Sequence, residues 1–286
     1  MANLKELRSR ITSVSSTMQI TSAMKMVSAA KLSKAQDAIE AMRPYAEKLT
    51  QLLQDLSASL DDDSSSKFAE EREVKNVLIV AISSNRGLAG AFNTNIIKAV
   101  RQRANDNYSG KNVEFYTIGK KANDILTKNF TIYKNNNDIY DDLSFDNVAE
   151  IAEELMQLFL DGNYDKIEIV YNQFKNAATQ IVTDEQFLPI PKFETEDSKQ
   201  LDYIFEPSKI EIVKDLIPKS LKMQLYKALR DSFASEHGAR MTAMHKATEN
   251  ATELRDDLKL TYNKARQASI TNEILEIVGG AEALSN

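Results

Sequence analysis

Ser83-Ser84-Asn85-Arg86-Gly87-Leu88-Ala89-Gly90-Ala91-Phe92-Asn93 is the stretch whose residue types and placing most invite chemistry. It follows the apolar run Val77 to Ile82 and leads into a helical pattern near Asn93 to Arg103. That is where α/β proteins hold phosphates, because the amides of a helix start favour anions. The details point instead to a tight structural turn. No Gly-Lys-Ser/Thr follows, so no lysine reaches a phosphate and no hydroxyl holds magnesium. Gly87 and Gly90 are three apart and lack the third glycine of a dinucleotide fingerprint. Cysteine is absent, which excludes disulfides and thiol catalysis. His237 and His245 stand eight residues apart, wrong for the i, i+4 ligand pair of a helical metal site. There is no Gly-x-Ser-x-Gly elbow and no His beside paired carboxylates. The sequence therefore predicts no catalytic residue, no cofactor-binding residue and no metal site.

The elements around this turn carry more information than the turn itself. Leu4, Leu7, Ile11, Val14 and Met18 are spaced alternately by three and four. The same count lands on Leu32, Ala35, Ile39, Met42, Ala46, Leu49, Leu53, Leu56 and Leu60. Pro44 is the only proline in these sixty residues and glycine is absent. A register held that long specifies a supercoiled helix or a long helix in a bundle. Its length would be on the order of 85 Å. The register lapses at Thr21, Lys25 and Ser28, where Met24, Met26 and Val27 sit off the seam. There the helix is expected to offer apolar side chains to something other than its coiled-coil partner.

Punctuation divides the rest. Residues 1–60 read as an N-terminal coiled-coil helix and 61–73, opening on Asp61-Asp62-Asp63-Ser64-Ser65-Ser66, as a linker. Residues 74–192 read as an α/β insert. Val77 to Ile82 is a strand buried on both faces, followed by strands near Val113 to Ile118, Ile132, Ile167 to Tyr171 and Gln180 to Thr183. Helices are expected near Asn93 to Arg103, at Lys120 to Asn129, and at Asp146 to Leu160 with Ser144 or Asp146 as cap. Strands alternating with helices make a mostly parallel sheet. Residues 193–209 read as a second linker and 210–286 as a C-terminal helix, broken early by Pro218. Its expected seam runs through Leu221, Leu225, Leu229 and Phe233, then Ala247, Ala251, Leu254 and Leu258, and last Ile270, Ile274 and Ile277. Small residues from Ala228 to Ala247 would let another helix approach closely. Two long terminal helices flanking one insert pair most simply antiparallel. Leu53 and Leu56 are then expected near Leu221 to Leu229, and Leu4 to Val14 near Arg240 to Leu258. The predicted fold is α/β, a long antiparallel coiled coil of the N- and C-terminal helices with an inserted Rossmann-like α/β domain.

Composition bounds the function. The chain has 286 residues, 42% hydrophobic and 27% charged, with a net charge of −6. That charge argues against a general nucleic-acid binder, and no apolar stretch is long enough to span a bilayer. Up to Lys34 the first helix carries Lys5, Arg8, Arg10, Lys25, Lys31 and Lys34 against Glu6 alone. A basic rod on an acidic chain fits either an acidic protein partner or a simply solvated face.

The closing Ile270-Thr271-Asn272-Glu273-Ile274-Leu275-Glu276-Ile277-Val278-Gly279-Gly280-Ala281-Glu282-Ala283 resembles the C-terminal signature of the gamma subunits of F-type ATP synthases. The opening Ile11 to Lys34, the Arg86-Gly87-Leu88 turn and Tyr262 to Ser269 are similar to the same family. The likeness covers both terminal helices end to end and the start of the insert. Many bacterial relatives carry Cys-Gly where this chain has Ala89-Gly90, and the middle of the insert is generic.

The resemblance implies a non-catalytic central rotor shaft inside a ring of alternating alpha and beta subunits, turned by ion flow through a membrane sector. It implies a peripheral location at the cytoplasmic face of a bacterial inner membrane. Contacts with the ring are implied at Met24, Lys25, Met26, Arg240, Gln267, Thr271, Ile274 and Ile277. Arg240, Gln267 and Thr271 match positions that touch an acidic catch loop of beta, and Ile274 and Ile277 would sit in a bearing at the top of the ring. By charge alone Arg240 could equally pair with Glu236 as a weak surface interaction. Tyr203 and Phe205, in the linker before Pro207, match the foot of the shaft, where the epsilon subunit and the membrane c-ring dock. Two other classes fit the stalk-and-head pattern without the resemblance: a coiled-coil adaptor or scaffold unrelated to ATP, and an α/β enzyme with a dimerising stalk.

Overall fold

The computed structural model describes residues 4–57, 67–190 and 209–285. Two of its elements are long helices, α1 (Leu4–Ser57) and α5 (Lys209–Ser285). Between them lie β1 (Asn76–Ile82), α2 (Phe92–Asp106), β2 (Asn112–Ile118), α3 (Lys120–Leu126), β3 (Thr131–Asn136), α4 (Phe145–Leu160), β4 (Lys166–Asn176) and β5 (Thr179–Leu188). The chain forms two compact units, residues Ala29–Arg240 and residues Met1–Ser28 with Met241–Asn286, and both long helices contribute to each.

In the first unit the five strands lie in the order β3-β2-β1-β4-β5. Strand β1 pairs parallel with both β2 and β4, β2 pairs parallel with β3, and β5 closes the edge as an antiparallel partner of β4. Every residue of Val77–Ile82 is fully buried, because side chains alternate across a strand and both faces are covered. Leu78, Val80 and Ile82 join a core with α4 and with Leu221, Leu225 and Leu229 of α5. Val77, Ile79 and Ala81 join a second core with Ile96, Ile97 and Val100 of α2. Helix α4 starts where expected, with the Ser144 side chain accepting from the Asn147 amide at 3.4 Å.

Several boundaries move. The strands at Ile167 to Tyr171 and Gln180 to Thr183 extend into one long hairpin. Its turn is made by Asn176, whose Oδ1 accepts from the amides of Ala178 and Thr179 at 3.0 and 2.8 Å. Helix α3 ends at Leu126 rather than Asn129, with Thr127 as its cap. The expected break at Pro218 does not occur, and α5 runs through it. An interior proline costs a helix about 3 kcal/mol. Burial of Ile217 and Leu221 on either side in the domain core offsets that penalty. Leu221, Leu225 and Leu229 thus serve the α/β core. The side chains of Leu53 and Leu56, expected to meet them, lie outside the described residues, as does Leu60.

The second unit is an antiparallel helix pair. Thr21 Oγ1 meets Thr248 Oγ1 at 2.8 Å, Lys25 Nζ meets His245 Nδ1 at 3.2 Å, and Arg255 donates to Met18 Sδ at 3.3 Å. Residue number rises on one helix as it falls on the other. The lapse in the α1 seam is filled by small polar residues: Thr21 and Ser28 are buried, Lys25 is half-buried, and Met26 and Val27 stand in solvent. On α5 the seam differs from expectation. It runs through Met244, Thr248, Ala251, Arg255, Leu258, Tyr262, Ala265 and Ser269, a strict alternation of four and three, while Leu254 is 51% exposed. With Met18 opposite Arg255, the two heptad counts set Leu4 to Val14 beside Leu258 to Ser269, further along than Arg240 to Leu258.

Candidate functional site

The turn after β1 is fastened by hydrogen bonds involving Ser83, Ser84, Asn85 and Asn93. The Ser83 amide donates to Ile118 O at 2.8 Å, and its Oγ accepts from the Ala122 amide at 3.0 Å. The Lys120 and Lys121 amides donate to Asn85 Oδ1 and Ser84 O, both at 3.0 Å. The opening amides of α3 are therefore committed to the turn rather than available to an anion. Ser84 and Asn93 bond each other, with Ser84 Oγ also donating to Arg86 O at 2.7 Å. Tyr140 Oη donates to Ser83 O at 2.7 Å. Gly119 lies beneath this knot at φ +96°, and a Cβ there would stand 2.2 Å from Ser83 O. At the tip Leu88 adopts φ 61° and is 65% exposed. A left-handed non-glycine residue costs about 1–2 kcal/mol, so the surroundings must hold it there.

Helix α5 supplies that support. Ala239 packs with Ala89 and Phe92. Gly238 crosses the β4–β5 turn so closely that an added Cβ would be 3.1 Å from Ala177 Cα. Arg240, only 6% exposed, lays its guanidinium on the two carbonyls before Leu88. Its Nη2 donates to Arg86 O at 3.2 Å and its Nε to Gly87 O at 3.4 Å. Nη1 pairs with Glu236 at 2.7 Å and lies 3.4 Å from His237 Nδ1. The alternative read from charge alone, a pair between Arg240 and Glu236, forms, but as a buried pair rather than a weak surface one, because Gly238 and Ala239 beside it are small enough for the backbones to close over it. Burial pushes the Glu236 carboxyl up, and the Arg240 guanidinium pulls it back. Burial first, then the nearby charges of Arg240 and Lys31, lower His237 to about 3. A neutral His237 can accept from Arg240 at Nδ1.

In the helix pair, the other implied ring contacts lie largely in solvent. Met26 is exposed, and Met24 and Lys25 are half-buried. Gln267 and Thr271 are exposed, with Thr271 Oγ1 donating back to Gln267 O at 3.0 Å. Past Ser269, every residue from Ile270 to Ala281 is exposed. This stretch includes Ile274 at 54%, Ile277 at 71%, and Leu275 and Val278. The sequence names Arg240, its possible pair with Glu236 and the Arg86-Gly87-Leu88 turn; the burial of that pair and the left-handed backbone of Leu88 emerge only from the structure. The signal for the burial was a charged i, i+4 pair set among small residues, where a solvated helix face would carry long polar ones. Tyr203 and Phe205 lie outside the described residues. No helix among the described residues is long and apolar enough to cross a membrane.

Comparison with known proteins agrees with this architecture. A family model described as ATP synthase matches residues 3–284. The ATP synthase gamma chain of Christiangramia forsetii is 83% identical, over 100% of both chains. That of Flavobacterium psychrophilum is 70% identical over 99% of each, and that of a Geobacter species 44% identical over 99% of each. Among solved structures, the rotor of the Euglena gracilis mitochondrial ATP synthase matches with a TM-score of 0.69 at 25% identity, covering 93% of this chain and 98% of that one. The central stalk and c-ring structure of the Tetrahymena thermophila enzyme shares the fold, with a TM-score of 0.59 at 24% identity, covering 80% of this chain and 99% of that one. The chain belongs to the ATP synthase gamma-chain family, the non-catalytic central-stalk subunit and rotor of the F-type enzyme, whose catalytic sites lie on the beta subunits.

Proposed function

We propose that this chain turns inside a ring of alternating alpha and beta subunits and carries rotation from a membrane c-ring to the beta sites, at the cytoplasmic face of a bacterial inner membrane. The observation that carries the reading is the bare end of α5. From Ile270 to Ala281 the helix is exposed, yet it keeps Ile270, Ile274, Leu275, Ile277 and Val278. A cluster of large apolar side chains in solvent marks a surface that another protein covers. An apolar bearing in the ring fits it, because apolar contact is non-directional and lets a shaft turn without breaking fixed bonds.

Gln267, one turn below Ile270, and Thr271 next to it are the polar contacts for the acidic catch loop of beta. Arg240, the third position matched to that loop, is engaged within its own unit. On α1, Met24, Lys25 and Met26 face the moving parts of the beta subunits. Tyr203 and Phe205 contact the epsilon subunit and the c-ring. Membership of the family displaces the adaptor and the stalked-enzyme readings.

The test is assembly. Mixed with alpha and beta subunits, the chain should copurify with the ring and raise its ATPase activity. Cysteines at Tyr203 and Phe205 should crosslink to epsilon or to the c subunit in the whole enzyme. Failure to join the ring, or crosslinks from those positions to alpha or beta alone, would overturn the arrangement.

A further inference from the structure

We propose that Arg240 is a positioning residue that clamps α5 to the α/β domain, so that torque entering the domain passes into the rest of α5 without slip. Below Arg240 the helix is already part of the domain: Ile217, Leu221, Leu225 and Leu229 share one core with α4 and the sheet. Arg240 is the last residue of that unit, and the chain from Met241 onward belongs to the other. The grip at this point therefore sets where the lever begins.

Hydrophobic contact alone makes a poor grip there. Gly238 and Ala239 have almost no side chain, and the local apolar cluster holds only Ala89, Phe92 and Ala239. Apolar surfaces resist separation but slide readily, whereas a guanidinium fork fixes direction as well as distance. Arg240 spends its donors on Arg86 O, Gly87 O, Glu236 and His237, all within the unit. Glu236 lies one turn below on the same helix and orients the guanidinium, and neutral His237 accepts beside it. The far side of the clamp is stiff in turn. The carbonyls of Arg86 and Gly87 precede the left-handed Leu88, and Ser84, Asn85 and Asn93 tie their turn to α3 and α2. The bonds from Arg240 to the turn, and from the turn to α2 and α3, are thus directional and mostly part-buried, which fixes direction as well as distance.

The inference rests on the chain's role as rotor, and its test separates the two. Whole enzyme is assembled with Arg240→Ala, Arg240→Lys or Glu236→Gln, and ATP hydrolysis, ATP-driven ion pumping and ATP synthesis are measured on the same preparation. Assembly and hydrolysis report on the rotor reading; the ratio of pumping to hydrolysis reports on the clamp. Arg240→Ala should lower that ratio five-fold or more while hydrolysis changes less than two-fold. Arg240→Lys and Glu236→Gln should fall between it and the wild type. Because the chain has no cysteine, Ala89→Cys with Ala239→Cys can be added to Arg240→Ala as a replacement fastening. Oxidation should return the ratio to within two-fold of wild type, and reduction should remove it again. A contact between Arg240 and the ring could not be replaced by an internal disulfide. Normal coupling in Arg240→Ala, or a formed disulfide that restores nothing, would overturn the proposal. If Arg240→Ala fails to fold, unchanged coupling in Glu236→Gln does the same.

Discussion

Replacing Ile274 and Ile277 together by Ser is expected to weaken binding to the alpha and beta ring without weakening the chain. The two side chains are 54% and 71% exposed, so between them they hold a little more than one whole isoleucine in water. Covering a whole isoleucine contributes about 1.5–3 kcal/mol, and a serine hydroxyl placed in an apolar bearing adds about 1 kcal/mol of lost hydration. The expected loss of affinity is therefore about 3–5 kcal/mol, roughly 100- to 3,000-fold in Kd. Folded stability should change by less than about 0.5 kcal/mol, because these positions make few contacts in the free chain. The assay titrates the variant against preformed ring and follows stimulated ATPase activity, with urea unfolding of the free chain beside it. A loss below three-fold would refute the bearing. So would a drop in chain stability matching the drop in affinity, since the isoleucines would then be serving the chain's own fold.

Three further outcomes follow from buried groups of the α/β domain. Glu168 is 1% exposed and takes Arg103 Nε at 2.5 Å and Lys166 Nζ at 3.1 Å, together with the Tyr108 hydroxyl. Glu168→Gln should lower stability in urea by about 2–4 kcal/mol, the lower end applying if the partly exposed Arg103 turns fully to Asp184; a loss below about 1 kcal/mol would contradict the network. Burial alone would raise the Glu168 carboxyl, but the bonds from Arg103 and Tyr108 carry it below its usual value. Its contribution is therefore present above about pH 4.5 and lost as pH falls, and the Gln variant should lack that acid slope. Asp231 behaves oppositely: burial, against Lys227 and Arg43 and with Glu185, raises it from 3.8 to about 6. The folded chain then holds a proton the unfolded chain releases, so stability falls by about 2 kcal/mol as pH rises from 4 to 6; Asp231→Asn should flatten that fall, and an unchanged slope would show that Asp231 is not its source. Gly119→Ala should destabilise by about 3 kcal/mol or more in thermal unfolding, since its Cβ meets Ser83 O. Gly110→Ala, equally left-handed but with nothing within 4 Å, should cost only about 1 kcal/mol, and equal losses would refute the steric argument.

Much of this fold is legible because its elements solve one problem each. The run Val77 to Ile82 has no polar alternative, and the structure buries it on both faces. The Ser144 cap and the α1 heptads follow from local rules that tertiary packing has no reason to break. The break expected at Pro218 is absent because a local penalty of about 3 kcal/mol is small beside the core that Ile217, Leu221 and Leu225 enter together. The Arg240 site was legible only in part: its charge pairing with Glu236 is local, but its burial depends on Gly87 and Arg86, more than 140 residues away in sequence.

The seam of α5 failed for a more informative reason. Hydrophobic spacing suggests Leu254, yet the seam position is Arg255, whose guanidinium reaches Met18 Sδ while Leu254 faces water. An arginine can serve a seam because its methylenes cover apolar surface while its head reaches solvent. Two patterns are thus superimposed on one helix. One is the alternation of four and three that binds α1 through Ala251, Leu258, Tyr262 and Ala265. The other is a set of apolar residues, Leu254, Leu260, Ile270, Ile274 and Ile277, that this alternation leaves exposed. On α1 the same holds for Ile20, Met26 and Val27 against buried Thr21 and Ser28. A chain selected only for its own fold would put its large apolar side chains on the seam and its small polar ones outside. Within the pair, polar Thr21, Ser28 and Thr248 fill the seam while Ile20, Leu254 and Leu260 stand in water, and the inversion has a physical meaning. Under the proposed function, these are the positions where a second, moving surface would be met in place of packing within the pair. The positions at which a single-period reading of the helices goes wrong are therefore the positions where the ring is expected to touch the shaft.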